Sequence, residues 1–353
     1  MAEDPSQSNR EDRLRETVVP FRAGDGFSCN LIRVQGQKRP SKGPVVLVHG
    51  AGVRANIFRA PVHTNFVDYL IDHEYDVWLE NWRASIDLPP NHWTLDQAAV
   101  LDHPEAVKTI VRETGWEKVK AVIHCQGSTS FMMSAVAGLV PQVTTVLTNA
   151  VSLHPCVPKF SEFKLRFAMP IIQRLTDYLN PQWGLHAPTM AAKLVKLIVE
   201  MTHHECHNPV CKQVSFTYGS GFPALWRHEN LNDATHEWLK REFANVPLTF
   251  FDQIARCIQK GHLVSVEGRK ELPQDFVAQP PRTDARFSFF AGEKNHCFLP
   301  ESQLKTFAYF DAQRKNYHSS HVMQSYSHLD VFMGSNASED VFPLMLAELD
   351  KPV

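Results

Sequence analysis

The chain has 353 residues, of which 43% are hydrophobic and 21% charged, and its formal net charge is −2 at pH 7. This composition is typical of a globular α/β domain with an insertion, or of two domains. The near-zero net charge gives no reason to expect nucleic acid or an anionic membrane as a partner.

Residues 1–16 are polar and highly charged, and we expect a disordered N-terminus without an apolar signal core. No apolar run is long enough to span a membrane. The chain has seven cysteines, an odd number, and their scattered positions along the sequence do not indicate a disulfide framework. A reducing, cytoplasmic location is therefore expected, and it would keep a reactive thiol usable.

Residues 17–150 are predicted to form the first part of an α/β core. Residues 17–21 and 27–34 are β-rich runs around a Gly-Asp-Gly turn, and residues 44–49 are a continuous apolar run, as in a buried parallel strand. Helices and strands then alternate, which indicates a mostly parallel, doubly wound sheet. The predicted segments are helices 60–73, 95–113 and 126–137, and strands 75–79, 119–124 and 144–149.

Residues 151–281 differ from this pattern, because they are helical, aromatic and rich in histidine. We predict an inserted, mainly helical cap. The β/α pattern resumes in residues 282–353, which form the second part of the core. Strands are predicted at 285–292 and 321–326, and a final helix at 339–349.

The segment around Cys125 predicts a nucleophile. An apolar strand runs into Cys125, and a helix of small residues follows, which is the strand–turn–helix context of a nucleophile elbow. The usual pattern is Gly-x-Ser-x-Gly; here Ile123 replaces the first glycine, and Gly127 keeps the second. A thiol at this apex indicates acyl transfer through an acyl-cysteine. The alternative is a cysteine packed as a small hydrophobic residue.

Two later loops supply candidate partners for Cys125. His328 follows the predicted strand 321–326, where the general base of such a site lies, and would take the thiol proton. The loop after strand 285–292 holds Asn295 where an orienting aspartate is expected, with Glu293 two residues earlier. Asn295 suits a cysteine site, because a thiolate–imidazolium pair mainly needs the ring aimed. Glu293 stays as the alternative orienter.

The turn at residues 49–52, His-Gly-Ala-Gly, follows a core strand and predicts an oxyanion hole. Its backbone N–H donors are expected from Ala51 and Gln126. The aromatic cap residues Phe222, Trp226 and Phe251 are candidates for an apolar acyl pocket, although core packing would need the same residue types.

A group of histidines and cysteines in the cap resembles a metal site. Its spacing matches no structural zinc pattern, so a plain loop, a disulfide between Cys206 and Cys211, and a metal site all stay open. The group consists of His203, His204, Cys206, His207 and Cys211. No nucleotide-binding fingerprint occurs, and we predict no cofactor.

The chain resembles the acid lipase family, the gastric and lysosomal type of α/β-hydrolase. The segments that carry the resemblance are residues 47–50 (LVHG), 76–83 (DVWLENWR), 124–128 (HCQGS) and 326–330 (YSHLD). The resemblance implies the α/β-hydrolase fold and esters of long acyl chains or sterols. Two departures, cysteine for serine at Cys125 and asparagine for aspartate at Asn295, put ordinary triglyceride hydrolysis in doubt.

Weaker resemblances are to polyhydroxyalkanoate synthases and to the hydrolase-like modules that accompany sterol-oxidase-type flavoproteins. The sequence therefore predicts a cysteine-dependent acyl hydrolase for an ester, thioester or lactone, small or carrier-bound, with a bulky apolar acyl part. An acyltransferase or lactone-forming enzyme, and a non-catalytic ligand-binding homologue, are the alternatives. The oligomeric state is open.

Overall fold

A computed structural model describes residues 14–352. Its main feature is an eight-stranded sheet in the order β1-β2-β4-β3-β5-β6-β9-β10. β1 and β2 pair antiparallel, as do β2 and β4, and the other neighbours are parallel. The mostly parallel sheet is thus confirmed. The strands are β1 (Arg15–Arg22), β2 (Ser28–Gln35), β3 (Pro44–Val48), β4 (Asp76–Asn81), β5 (Val119–His124), β6 (Val143–Asn149), β7 (Tyr178–Leu179), β8 (Val246–Pro247), β9 (Arg286–Gly292) and β10 (Ser319–Met323).

Helices cover both faces of this sheet and continue into the segment between β6 and β9. They are α1 (Phe66–Asp72), α2 (Leu95–Gln97), α3 (His103–Thr114), α4 (Cys125–Val136), α5 (Lys159–Phe163), α6 (Met169–Ile172), α7 (Met190–Thr202), α8 (Pro209–Tyr218), α9 (Asp233–Trp238), α10 (Leu248–Lys260), α11 (Glu301–Gln313), α12 (Asp330–Met333), α13 (Ala337–Asp340) and α14 (Phe342–Asp350). π-helical turns (Ala98–Asp102, Lys164–Ala168) and 3₁₀ turns (Ala55–Arg59, Pro181–Gly184, His228–Asn230, Leu239–Arg241) connect several of them.

Strand β3 illustrates why the apolar runs form the centre of the sheet. All five of its residues are buried. Val46 and Val48 contact one hydrophobic core, and Val45 and Leu47 contact the other. Successive side chains of a strand point to opposite faces, so a strand covered by helices on both faces needs a continuous apolar run.

The segment between β6 and β9 holds helices α5 to α10 and the two-residue strands β7 and β8, which pair antiparallel. Helix α10 buries Phe250, Phe251 and Ile254 on one face. It ends at Gly261, whose φ of 83° is left-handed and favours glycine. None of the helices among residues 14–352 is long and apolar enough to cross a membrane.

Three predicted boundaries need correction. Strand β1 begins at Arg15, inside the stretch predicted to be disordered, and residues 1–13 lie outside the described residues. Helix α1 begins at Phe66, not residue 60, because the side chain of Asn65 caps it by accepting from the Asp68 N–H. Strand β10 ends at Met323, three residues earlier than predicted, and the turn that follows includes Ser325 with a φ of 63°.

Candidate active site

The predicted elbow corresponds to a sharp turn where β5 meets α4. Cys125 has a φ of 55°, the left-handed region that a non-glycine residue rarely adopts. A Cβ atom at Gly127 would collide with the backbone oxygen of His49, so only glycine lets α4 approach the end of β3. A Cβ at Gly50 would lie 2.9 Å from that of Cys125. The elbow and the His-Gly-Ala-Gly turn are therefore in direct contact.

The loop after β10 brings His328 to this elbow. The Cys125 sulfur, one ring nitrogen of His328 and one of His124 lie within 4.8 Å of one another. His328 is buried, and its Nε2 atom is buried without a hydrogen-bond partner among the described residues. On the other side of the ring, Nδ1 lies 3.1 Å from Nδ2 of Asn295. Cys125, His328 and Asn295 thus come together as a connected group.

The orientation of the Asn295 amide is set by its own loop. Its Oδ1 accepts hydrogen bonds from the backbone N–H groups of Cys297 (2.9 Å) and Phe298 (3.1 Å). The amide nitrogen therefore faces the ring and donates to Nδ1 of His328. A neutral imidazole that accepts at Nδ1 carries its proton on Nε2.

Glu293, the alternative orienter, lies elsewhere. Its carboxylate is exposed and pairs with Lys294 at 3.2 Å. The ion pair and hydrogen bond with Lys294 lower the pKa of Glu293. The residue against the histidine ring is Asn295.

Cys297 is a site residue that the sequence reasoning missed. Burial raises the pKa of the Cys125 thiol, but its contact with the Cys297 thiol, the proximity of the His328 ring and the Gln126 N–H lower it overall. The same contact raises the pKa of Cys297. The available signal was its position two residues after Asn295, in the loop already assigned to the site. Cys125 is therefore the thiol that ionises first.

The geometry around Ala51 and Gln126 suits an oxyanion hole. Gln126 is the second residue of α4, so its N–H has no partner within the helix. A cavity of about 20 Å³, enough for one water-sized group, is bordered by Ala51, Cys125 and His328. The hydroxyl of Tyr218 donates to the Ala51 carbonyl at 3.1 Å and supports the turn.

A larger cavity of about 400 Å³ is lined by Cys125, Gln126 and residues of the segment between β6 and β9. Its walls are almost entirely apolar and include Phe160, Phe163, Met169, Phe216, Phe250 and Phe251. Lys164 is the charged residue among the described residues that line it, and burial lowers the pKa of this lysine to about 8.

The three predicted acyl-pocket residues divide between this cavity and other places. Phe251 lines the cavity, as predicted. Trp226 does not: it is 1% exposed and packs against Phe243. Phe222 is 65% exposed and packs against the ring of His203. The predictions for Trp226 and Phe222 are therefore wrong, because aromatic content alone does not tell core or surface from pocket.

Known proteins share parts of this sequence and most of this fold. No protein-family model matches the sequence. Lipase member K of Homo sapiens is 24% identical over 227 residues, which cover 59% of this chain and 54% of that protein. Gastric triacylglycerol lipase of Rattus norvegicus is 33% identical over 122 residues, covering 30% and 31% respectively. The chain thus spans about half, or less, of the length of these relatives.

An esterase from Exiguobacterium antarcticum has a similar solved structure. It superposes with a TM-score of 0.56 at 10% identity, over 95% of this chain and all of that chain. This chain has the α/β-hydrolase fold. Its sequence resembles that of lipases, in agreement with the resemblance seen in its motifs.

Several buried residues support the candidate site from a distance. The indole N–H of Trp82 donates to the His49 carbonyl at 3.0 Å and so holds the His-Gly-Ala-Gly turn. The buried His103 bridges Glu80 of β4 (2.8 Å) and Ser130 of α4 (2.7 Å). This Ser–His–Glu chain borders neither cavity described above. It fastens α4, and hence Cys125, to the sheet.

The histidine–cysteine group of the cap divides in the structure. Cys206 and Cys211 come together, whereas His203 pairs with Glu205 at 3.1 Å and His204 is exposed. The exposed His207 is not part of the cluster either. The residues that join the two cysteines are His228 and His236, far enough along the chain that spacing did not suggest them.

Proposed function

We propose that this α/β-hydrolase is a cysteine-dependent acyl hydrolase that acts on small or carrier-bound esters or thioesters with a bulky apolar acyl part. The observation that supports this proposal most is the placement of Cys125: its thiol lies at the turn between β5 and α4, beside His328 and in the lining of a large apolar cavity. Lipases and an esterase among the similar proteins support chemistry on acyl groups.

The acyl part of the substrate is inferred from the cavity. A volume of about 400 Å³ with aromatic and aliphatic walls suits a long or bulky hydrocarbon chain. Cys125 and Gln126 are part of its lining, so an acyl group bound in the cavity can place its carbonyl at the thiol. Phe250, Phe251 and Ile254 on one face of α10 form part of the wall.

In the first step, the Cys125 thiolate attacks the carbonyl carbon. The C=O electron pair moves to the oxygen, which the N–H groups of Ala51 and Gln126 stabilise. The intermediate collapses, the leaving alkoxide or thiolate departs, and an acyl-cysteine thioester is formed. Water then attacks this thioester and gives a proton to Nε2 of His328 once that nitrogen is unprotonated. The intermediate collapses to the carboxylic acid and the Cys125 thiolate, and the proton taken up by His328 passes through solvent to the released alkoxide or thiolate.

The donor orientation of the Asn295 amide favours a second candidate, acyl transfer. The proton of the resting ring lies on Nε2, so His328 must first shift it to Nδ1 before it can accept from water. A proton on Nδ1 would face the amide N–H of Asn295, so two hydrogen-bond donors would point at each other. Water therefore resolves the acyl-enzyme slowly, whereas an incoming thiolate needs no base. A thiolate also leaves more readily than an alkoxide, which favours thioester substrates.

The test is intact-mass analysis after incubation with a panel of acyl thioesters and activated esters, with and without alcohol or thiol acceptors. We expect a one-acyl adduct on Cys125 in the unmodified chain, and neither adduct nor turnover in Cys125→Ala. Cys257→Ala is the matched control, because Cys257 is also buried but lies in α10. A folded Cys125→Ala variant with full turnover would remove Cys125 as the nucleophile.

A further inference from the structure

Four side chains of the cap converge on one point. Cys206 lies after α7, Cys211 in the first turn of α8, His228 in the 3₁₀ turn His228–Asn230, and His236 in α9. One sulfur or ring-nitrogen atom from each residue lies within 4.8 Å of the other three. The Cys211 sulfur is 3.4 Å from Nε2 of His228.

These distances suit a tetrahedral zinc site. Zinc–sulfur and zinc–nitrogen bonds of about 2.3 and 2.0–2.1 Å place tetrahedral ligand atoms about 3.3–3.8 Å apart. The observed 3.4 Å lies in this range, and the 4.8 Å limit needs only small side-chain movements. Two cysteines with two histidines are a common structural zinc set, and four protein ligands leave no open position for substrate.

A buried polar atom supports the same site. Nε2 of His236 is buried and has no hydrogen-bond partner among the described residues. A buried polar atom without a partner is costly in free energy, and native proteins seldom leave one. If the three other side chains bind a zinc ion, Nε2 of His236 would coordinate that ion as the fourth ligand.

The backbone around the four ligands is organised in advance. Asn208 caps α8, since its Oδ1 accepts from the N–H groups of Val210 (3.0 Å) and Cys211 (3.1 Å). Its Nδ2 donates to the carbonyl of His236 at 2.6 Å. One buried asparagine therefore holds the turn with Cys211 against the helix with His236. Such support fixes ligand geometry before a metal arrives.

We propose that Cys206, Cys211, His228 and His236 bind one structural zinc ion. The ion would join the start of α8 to the segment from His228 to His236. That segment continues to the active-site loop, because Nδ2 of Asn230 donates to Asp330 at 2.7 Å, and Asp330 accepts from the Ser327 N–H beside His328. The zinc site therefore stabilises the cap and, through Asp330, the loop of the catalytic histidine.

The experiment measures metal and thiols in the full chain, expressed with zinc in the medium and purified without reductant. Mass spectrometry of the metal is expected to find about one zinc per chain. Titration of thiols in denaturant with a chelator should find all seven cysteines reduced. Cys211→Ser and His236→Asn should lose most of the zinc. His207→Asn is the matched control and should keep it, because His207 is adjacent to Cys206 but outside the cluster.

Cobalt substitution keeps the test decisive if a ligand variant fails to fold. Cobalt in the unmodified chain should show the visible absorption of a tetrahedral thiolate site, and zinc should displace it. Two fewer thiols, from a Cys206–Cys211 disulfide, would overturn the proposal. So would an unmodified chain that takes up neither metal, or a folded Cys211→Ser variant that keeps its zinc.

Discussion

The change Asn295→Asp tests how the proton of His328 is held. One carboxylate oxygen can keep the hydrogen bonds from the N–H groups of Cys297 and Phe298. The other oxygen then faces Nδ1 of His328, to which the amide nitrogen of Asn295 donates in the unmodified chain. Because a carboxylate only accepts, the ring proton moves to Nδ1, and Nε2 becomes a free base. Hydrolysis of the acyl-enzyme should speed up.

The size of the rate increase can be estimated from the cost of turning the Asn295 amide in the unmodified chain. Turning its oxygen toward the ring would leave two buried backbone N–H groups without acceptors, at about 1–3 kcal/mol each. A total of roughly 2–6 kcal/mol corresponds to a rate factor of roughly 30 to 10⁴. In serine proteases the opposite change, aspartate to asparagine, lowers kcat by ~10⁴ through the wrong tautomer. We therefore expect at least roughly 30-fold faster deacylation.

The assay follows loss of the acyl adduct by intact mass after a single turnover with an acyl thioester. Acylation should change little, so the burst seen in the unmodified chain should shrink in Asn295→Asp. Glu293→Gln is the control, a change of similar size on an exposed residue of the same loop, and should leave both steps unchanged. A folded Asn295→Asp variant with native deacylation, beside a crippled Glu293→Gln, would refute the reasoning.

Three further predictions concern the thiol, the elbow and the cavity. Iodoacetamide should alkylate Cys125 faster than Cys257, because burial raises the pKa of Cys257 to about 12. Peptide mapping should also show that the alkylation rate of Cys125 reaches its plateau at a lower pH than the rate of a free thiol does. Gly127→Ala should lower the free energy of unfolding by about 1–3 kcal/mol in urea, since its Cβ meets the His49 backbone; an unchanged midpoint contradicts the elbow contact. Phe251→Ala should lower kcat/KM for long acyl substrates by about 10-fold, a loss of roughly 1.4 kcal/mol, whereas exposed Phe222→Ala should not.

The α/β core was predictable because its signals are local. Buried strands such as β3 and β5 are short apolar runs, and the turn at Cys125 with Gly127 has a specific sequence context. Chain order then placed Asn295 and His328 at the same edge of the sheet, since the carboxyl ends of parallel strands meet there. Boundaries were less predictable where a cap decides them, as Asn65 does for α1.

The details of the site depended on contacts between distant segments. Cys297 and Cys125 are in contact although they are far apart in sequence, and no sequence motif predicts this contact. The direction of the Asn295 amide follows from two backbone N–H groups, which only coordinates can place. The choice between Asn295 and Glu293 needed the same information.

The cap shows why residue type alone misassigned the pocket. Phe251 and Trp226 are both buried aromatic residues, but they pack in different hydrophobic cores. Phe251 belongs to α10 and faces the acyl cavity, whereas Trp226 packs with Cys211 and Phe243 in the core beside the proposed zinc site. The cap therefore has one part that would choose the acyl group and another that holds the loop of His328. Changes in the first should alter substrate preference, and changes in the second should alter the rate with every substrate.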